Sequence, residues 1–222
     1  MLTPSQLLGL DDEHLVDCQG QRLERRTARA FEAMAKGANE AGFALNICSG
    51  WRSFERQQRI FNGKARGERP LQDGQGRACQ VEQMSEADIL DAILAWSALP
   101  GTSRHHWGTD LDVYDGNRIE ASALKLEPWE YQEGGPCHEL SQWLEQNMAD
   151  YGFFRPYRED LGGVRPEPWH LSYQPLAVPA LKQFDAQALA ELLEGSDLAL
   201  KQSVLAQLPG LIDRYCFRIA EA

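Results

Sequence analysis

This sequence predicts a single domain mixing helices with a few short strands, and three observations carry that expectation. With 222 residues, 43% apolar and 9% aromatic, the chain is long enough to bury a full core with room for a small appendage. Three stretches, 43–48, 111–114 and 169–173, alternate side chains at the two-residue period of a strand. Between and around them, apolar residues recur every three or four positions, the period of an amphipathic helix.

Thr3 followed by Pro4 reads as a helix cap and a first helical residue, and Gly9 ends that short element. Residues 21–40 place Leu23, Ala30, Phe31, Met34 and Ala38 at helical spacing among charges and predict one amphipathic helix. Gly42 releases the chain into the first strand, which ends at Ser49-Gly50-Trp51-Arg52-Ser53 before a helix starts at Phe54. Residues 62–80 are rich in Gly, Arg, Gln and Asp, hold Pro70 and lack periodicity, so a long loop is expected there. Ser85 with Asp88 resembles a capping box that opens a helix through Ile89, Leu90, Ile93, Leu94 and Trp96, broken by Pro100-Gly101. After the second strand, Asp115-Gly116-Asn117 is a turn, and residues 137–148 predict a helix through Leu140, Trp143 and Leu144. Pro168 holds Glu167 extended ahead of the third strand.

From Asp185 the pattern is helical. Asp185 caps a helix through Leu189, Leu192 and Leu193, Ser196 caps another through Leu200, Val204, Leu205 and Leu208, and Pro209-Gly210 leads into a last one. The expected division is a domain over residues 1–184 with a helical extension, 185–222, packed on it.

Charge and cysteine usage narrow the partners. The chain has 22 basic against 33 acidic residues, a net charge of −11, which argues against nucleic acid or an anionic membrane as the main partner. Cys18, Cys48, Cys79, Cys137 and Cys216 are odd in number and widely spaced, so free thiols in a reducing compartment are the simplest reading. Met1-Leu2-Thr3-Pro4 carries no basic segment before an apolar run, and no apolar stretch reaches membrane-spanning length; a cytoplasmic location is expected. Oligomeric state is not legible.

Chemistry concentrates in residues 103–114, where two histidines, two aspartates and a glycine crowd together. A continuous strand would put His105 and Asp112, seven apart, on opposite faces, so a shared site needs His105 on a loop that bends back at Gly108. A polar loop leading into a strand with a solvated aspartate is the alternative. In a second concentration, Glu167 and His170 stand three apart across Pro168; an edge strand with a core histidine would look the same. Arg52, beside Gly50 at a strand end, either reaches into a cleft or lies on the surface. Together these residues supply the parts of a mononuclear zinc hydrolase. His105, Asp112 and His170 provide three ligands, Glu167 a free carboxylate, and Arg52 a counter-charge for a tetrahedral intermediate.

Three motifs stand in order: S-G-W-R-S-x-x-x-Q from Ser49 to Gln57, S-x-H-x-x-G-x-x-x-D from Ser103 to Asp112, and E-P-W-H from Glu167 to His170. This set resembles the zinc D-alanyl-D-alanine carboxypeptidases and dipeptidases, the VanY/VanX-like group related to the zinc domain of hedgehog. The resemblance implies an α+β fold, with a small antiparallel sheet carrying the metal and helices packed behind it. It implies zinc (Zn2+) held by His105, Asp112 and His170, Glu167 as general base and later general acid, and Arg52 as charge stabiliser. Gln57 and Ser103 match positions that line the substrate cleft or brace the ligands; His106, beside the ligand His105, is expected to face substrate or to support the ligands from behind, and Trp169 to face substrate. Two residues depart from the pattern: Trp51 replaces a common Tyr, and Asp110 replaces a small residue, where it either supports a ligand or disfavours an anionic substrate.

The implied activity is hydrolysis of D-alanyl-D-alanine, or removal of the C-terminal D-amino acid from a peptidoglycan-type peptide; the partner is a small peptide containing D-amino acids. An L-alanyl-D-glutamate wall-peptide peptidase is an alternative, since substrate choice lies in loops such as 62–80 and 125–136. A zinc-bearing binding module without turnover is another, against which the presence of Glu167 and Arg52 argues.

Overall fold

The computed structural model describes residues 1–221. Its frame is a four-stranded antiparallel sheet built from the three alternating stretches and a two-residue strand, Phe153–Phe154, that the sequence did not mark. β3 (Leu45–Ser49), β4 (Asp110–Asp115), β5 (Phe153–Phe154) and β6 (His170–Tyr173) lie in the order β3-β4-β6-β5. Alternation divides the side chains between two faces. Leu45, Ile47, Leu111, Val113 and Leu171 face one core, covered by Phe31, Met34 and Ala38 of α2 (Arg25–Glu40) and by Leu140 and Leu144 of α5 (His138–Asn147). Each large side chain buried there contributes roughly 1.5–3 kcal/mol. Asp110, Asp112, His170 and Ser172 share the opposite face, and the register sets Asp112 directly across from His170 and Asp110 across from Ser172. The fold is therefore α+β, with its polar sheet face turned away from the helical layer.

The N-terminal segment differs from the single helix expected over residues 21–40. Gln21–Glu24 forms β2, paired with β1 (Leu15–Cys18) through a two-residue turn in which Gln19 and Gly20 both have positive φ, 54° and 73°. Such a turn matches the twist of a hairpin. α2 starts only at Arg25, capped by the Glu24 carboxylate, which accepts from the Arg26 and Thr27 backbone N–H groups at 2.6 and 3.1 Å. α1 (Pro4–Leu7) is capped by Thr3 as expected.

A second core joins α3 (Phe54–Ala65) and α4 (Glu86–Trp96) to α7 (Ala186–Gly195) and α8 (Lys201–Ile212), through Phe61, Ile93, Leu94, Leu189, Leu193, Val204 and Leu208. Between the sheet and α7 lies α6 (Gln174–Lys182), which Pro175 and Pro179 obscure in the sequence. Ser196 does not cap α8. Its hydroxyl closes α7 by donating to the Leu193 carbonyl at 2.9 Å, and α8 begins after Leu200 in the left-handed region. Pro209 and Gly210 lie within α8 rather than ahead of another helix, and a π-type turn, Asp213–Phe217, follows. The expected loop starts late, because α3 runs on to Ala65. All five cysteines are free, and among the described residues no helix is long and apolar enough to cross a membrane.

Candidate metal centre

Two adjacent strands and one tight turn bring the three expected ligands together. Asp112 and His170 are cross-strand partners on β4 and β6. His105 comes from a single 3-10 turn, Arg104–Trp107, that ends at Gly108 with φ +69°, so the chain reverses into β4 and points His105 back over the sheet. One donor atom from each of His105, Asp112 and His170 lies within 4.8 Å of the others, and all three residues are buried. Asp112 is 3.4 Å from His105 Nε2 and 3.2 Å from His170 Nδ1.

Outer partners decide which nitrogen faces this point. His105 Nδ1 donates to the Gly50 carbonyl at 2.9 Å, which leaves Nε2 a free acceptor. His170 Nε2 donates to Asp110 Oδ1 at 3.0 Å, which leaves Nδ1 inward. Asp112 Oδ1 is buried and accepts no hydrogen bond. Two imidazoles with their lone pairs inward and a carboxylate oxygen without a partner are a donor set that suits a divalent cation.

Electrostatics agree. Burial alone would raise the Asp112 carboxyl, but His105 and His170 hold it well below the usual carboxylate range. Burial alone would lower the His170 imidazolium; the hydrogen bond to Asp110 and the nearby carboxylates of Asp112 and Glu167 outweigh it and raise His170 well above its ordinary value. Three carboxylates around one imidazole draw positive charge to this point, from a proton or from a cation.

The remaining residues divide into cleft wall and support. Arg52, Ser103, His105, Asp112, Glu167, Trp169 and His170 line a cleft of roughly 330 Å³. Glu167 Oε2 is 3.4 Å from His170 Nδ1, and the Glu167 backbone is pinned by its N–H to the Tyr157 carbonyl at 2.8 Å. A bulge between Ile47 and Ser49 turns the end of β3 toward the cleft, where Arg52 Nη2 donates to Ser49 Oγ at 3.2 Å. Gln57 does not face the cleft. It is fully buried behind Arg52, accepting from Nη1 at 2.7 Å and donating to the Ala98 carbonyl at 2.7 Å. His106 is likewise turned inward: its Nδ1 donates to the Arg52 carbonyl at 2.6 Å and its Nε2 accepts from the Gly101 N–H at 3.0 Å. Burial pushes His106 down to about 3, so it stands neutral. Neighbours i and i+1 in a tight turn point in different directions, which is why only one of the two adjacent histidines joins the candidate ligand cluster.

The sequence reading did not single out Lys64, Tyr157 or Lys125, which also line the cleft. Lys64 sits seven residues after Gln57 on the same face of α3, a helical spacing that could have marked it. Tyr157 packs edge-on against the His170 ring, with centroids 5.0 Å apart, and has no motif to announce it.

The VanY family, D-alanyl-D-alanine carboxypeptidase, matches residues 20–176. The chain belongs to this family. That span contains every residue of the candidate metal centre and cleft named above. Among relatives, an uncharacterized protein of Haemophilus influenzae is 35% identical over 120 residues, covering 53% of this chain and 92% of the relative. The D-alanyl-D-alanine carboxypeptidase of Enterococcus faecalis is 27% identical over 157 residues, covering 69% of this chain and 49% of the relative, so the match spans about half of that enzyme. Among solved structures, VanYB in complex with D-alanine-D-alanine matches with a TM-score of 0.54 at 23% identity, covering 87% of this chain and 88% of that one. A vancomycin-resistance D,D-pentapeptidase VanY variant in complex with Zn(II) gives a TM-score of 0.54 at 24% identity over 87% and 90% of the two chains. These structural likenesses place the fold among family members.

Proposed function

We propose that this protein is a zinc-dependent peptidase that cleaves D-alanyl-D-alanine or removes the C-terminal D-amino acid from a peptidoglycan-type peptide. The observation that carries the reading is the convergence of His105, Asp112 and His170 in one cleft with Glu167 and Arg52. Zinc held by those three ligands would supply Lewis acidity and a bound water of lowered pKa.

The chain's own residues do the rest. The Glu167 carboxylate takes the proton of the water that attacks the scissile carbonyl and returns it to the departing amine. Arg52 places a fixed positive charge where the carbonyl oxygen becomes negative. Its guanidinium is aimed by Gln57 and Ser49, and little reorganisation is needed as that charge develops. Lys64 and Lys125 add cationic wall to the same cleft, suited to a substrate that ends in a free carboxylate. Trp169, packed against Tyr131 at 5.6 Å, gives the wall a rigid apolar surface for a methyl side chain.

The test is metal analysis of the purified protein together with hydrolysis of a panel containing the dipeptide D-alanyl-D-alanine, a D-alanyl-D-alanine-terminated pentapeptide, and the tetrapeptide, read by mass spectrometry. One equivalent of zinc and chelator-sensitive release of D-alanine are expected, with Glu167→Gln slowing turnover by roughly 10²–10⁴-fold at unchanged zinc content. Cleavage at an L-alanyl-D-glutamate bond instead would move the substrate assignment, and bound zinc without hydrolysis would leave a binding module.

A further inference from the structure

Asp110 lies on the same strand face as Asp112 without lining the cleft. Its carboxylate is fully buried and completely engaged. Oδ1 accepts from Arg104 Nε at 2.7 Å and from His170 Nε2 at 3.0 Å, and Oδ2 accepts from Thr109 Oγ1 at 2.6 Å. Arg104 is in turn held. Its Nη2 donates to Ser172 Oγ at 2.6 Å, its guanidinium lies 4.8 Å from the Trp107 ring centre, and its side chain is 2% exposed.

We propose that Asp110, clamped by Arg104, is a positioning residue that locks the His170 ring with Nδ1 toward the metal and strengthens that nitrogen as a ligand. This rests on the zinc reading above.

An imidazole attached to a strand has two nearly equivalent ring orientations, related by a half-turn about its bond to Cβ. Only one keeps Nδ1 at 3.2 Å from Asp112 and 3.4 Å from Glu167. The bond from Nε2 to Asp110 exists only in that orientation, so the carboxylate excludes the other and fixes the tautomer at once. The contrast with His105 is informative. That ring donates to a backbone carbonyl, a neutral acceptor, whereas His170 donates to a carboxylate, which pushes more electron density onto the nitrogen opposite.

Fold stability alone is a poor reason for such a pair. Desolvating two charges costs several kcal/mol each, and apolar residues of similar volume often serve a core equally well. A small residue at position 110 would leave His170 Nε2 and Arg104 Nε without their acceptor.

Zinc affinity, measured by competition with a chromophoric chelator, tests the proposal on the purified full chain, wild type against Asp110→Asn and Asp110→Ala. A paired variant, Arg104→Met with Asp110→Asn, removes both buried charges, so that the fold is not left with an unpaired one. Far-UV circular dichroism follows folding. All variants are expected to bind zinc 10–100-fold more weakly. Independently, proton NMR of ¹⁵N-histidine-labelled wild type should show a slowly exchanging, low-field Nε2–H resonance from His170, assigned by its loss in His170→Gln. Wild-type zinc binding with variant affinities within twofold overturns the proposal while leaving the zinc reading intact, as does absence of that resonance in zinc-loaded wild type. No zinc binding by the wild type overturns both.

Discussion

The Lys64 ammonium has no hydrogen-bond or ion-pair partner among the described residues, yet the residue lines the cleft. Burial lowers its ammonium below the ordinary lysine value and the charge of Glu167 opposes that fall. A cation held in this way is suited to receive a carboxylate from outside. A charged hydrogen bond of about 1.5–3 kcal/mol corresponds to roughly 10–100-fold in binding. Lys64→Met is therefore expected to raise KM for a peptide with a free C-terminal carboxylate by that factor, with kcat changed far less and the C-terminally amidated peptide unaffected. Steady-state kinetics on the two peptides checks this. The candidate site residues were legible in the sequence because His105, Asp112, Glu167 and His170 sit in short motifs where a turn or a proline sets their mutual geometry. Lys64 was not singled out, since helical spacing puts it on the Gln57 face of α3 but does not show that Pro70, Gln72 and Trp96 line the same cleft.

The turn that carries His105 depends on a backbone shape available to glycine. At Gly108, φ is +69°, and an added Cβ would stand 2.4 Å from Leu15 Cδ2 and 2.8 Å from the Glu24 backbone nitrogen. Leu15 could shift, but the nitrogen belongs to the β1–β2 hairpin, where Glu24 N–H donates to the Gly108 carbonyl at 2.8 Å. Gly108→Ala should cost roughly 2–4 kcal/mol, combining the left-handed penalty with overpacking. Urea unfolding of the two proteins measures it, and zinc affinity should fall as the turn distorts. The sequence marked Gly108 as the bend but not its neighbour. Of β2 only Leu23 is fully buried, too little alternation to outweigh the strong helical pattern that follows it. α6 was hidden differently, because Pro175 is tolerated in its first turn while Pro179 argues against a helix.

Across the whole molecule, a net charge of −11 surrounds a cleft whose wall holds Arg52, Lys64 and Lys125. The C-terminal helices reach this wall indirectly. Leu193 and Leu189 of α7 are fully buried in the same core cluster as Tyr157 and Val164, which line the cleft. Leu193→Ala is expected to lose about 2–5 kcal/mol in a single cooperative transition, seen as coincident fluorescence and circular dichroism curves in urea. Main-chain links also join the two halves of the site. The Arg52 N–H donates to the His105 carbonyl at 3.2 Å, and the Trp51 indole and the His106 ring tie the same two loops at 2.9 and 2.6 Å. The spacing between Arg52 and His105 is thus written into the peptide backbone and its braces. Exchanging the Arg52 side chain leaves that scaffold standing, so the loop pair is a fixed socket into which a different recognition group could be set without moving His105.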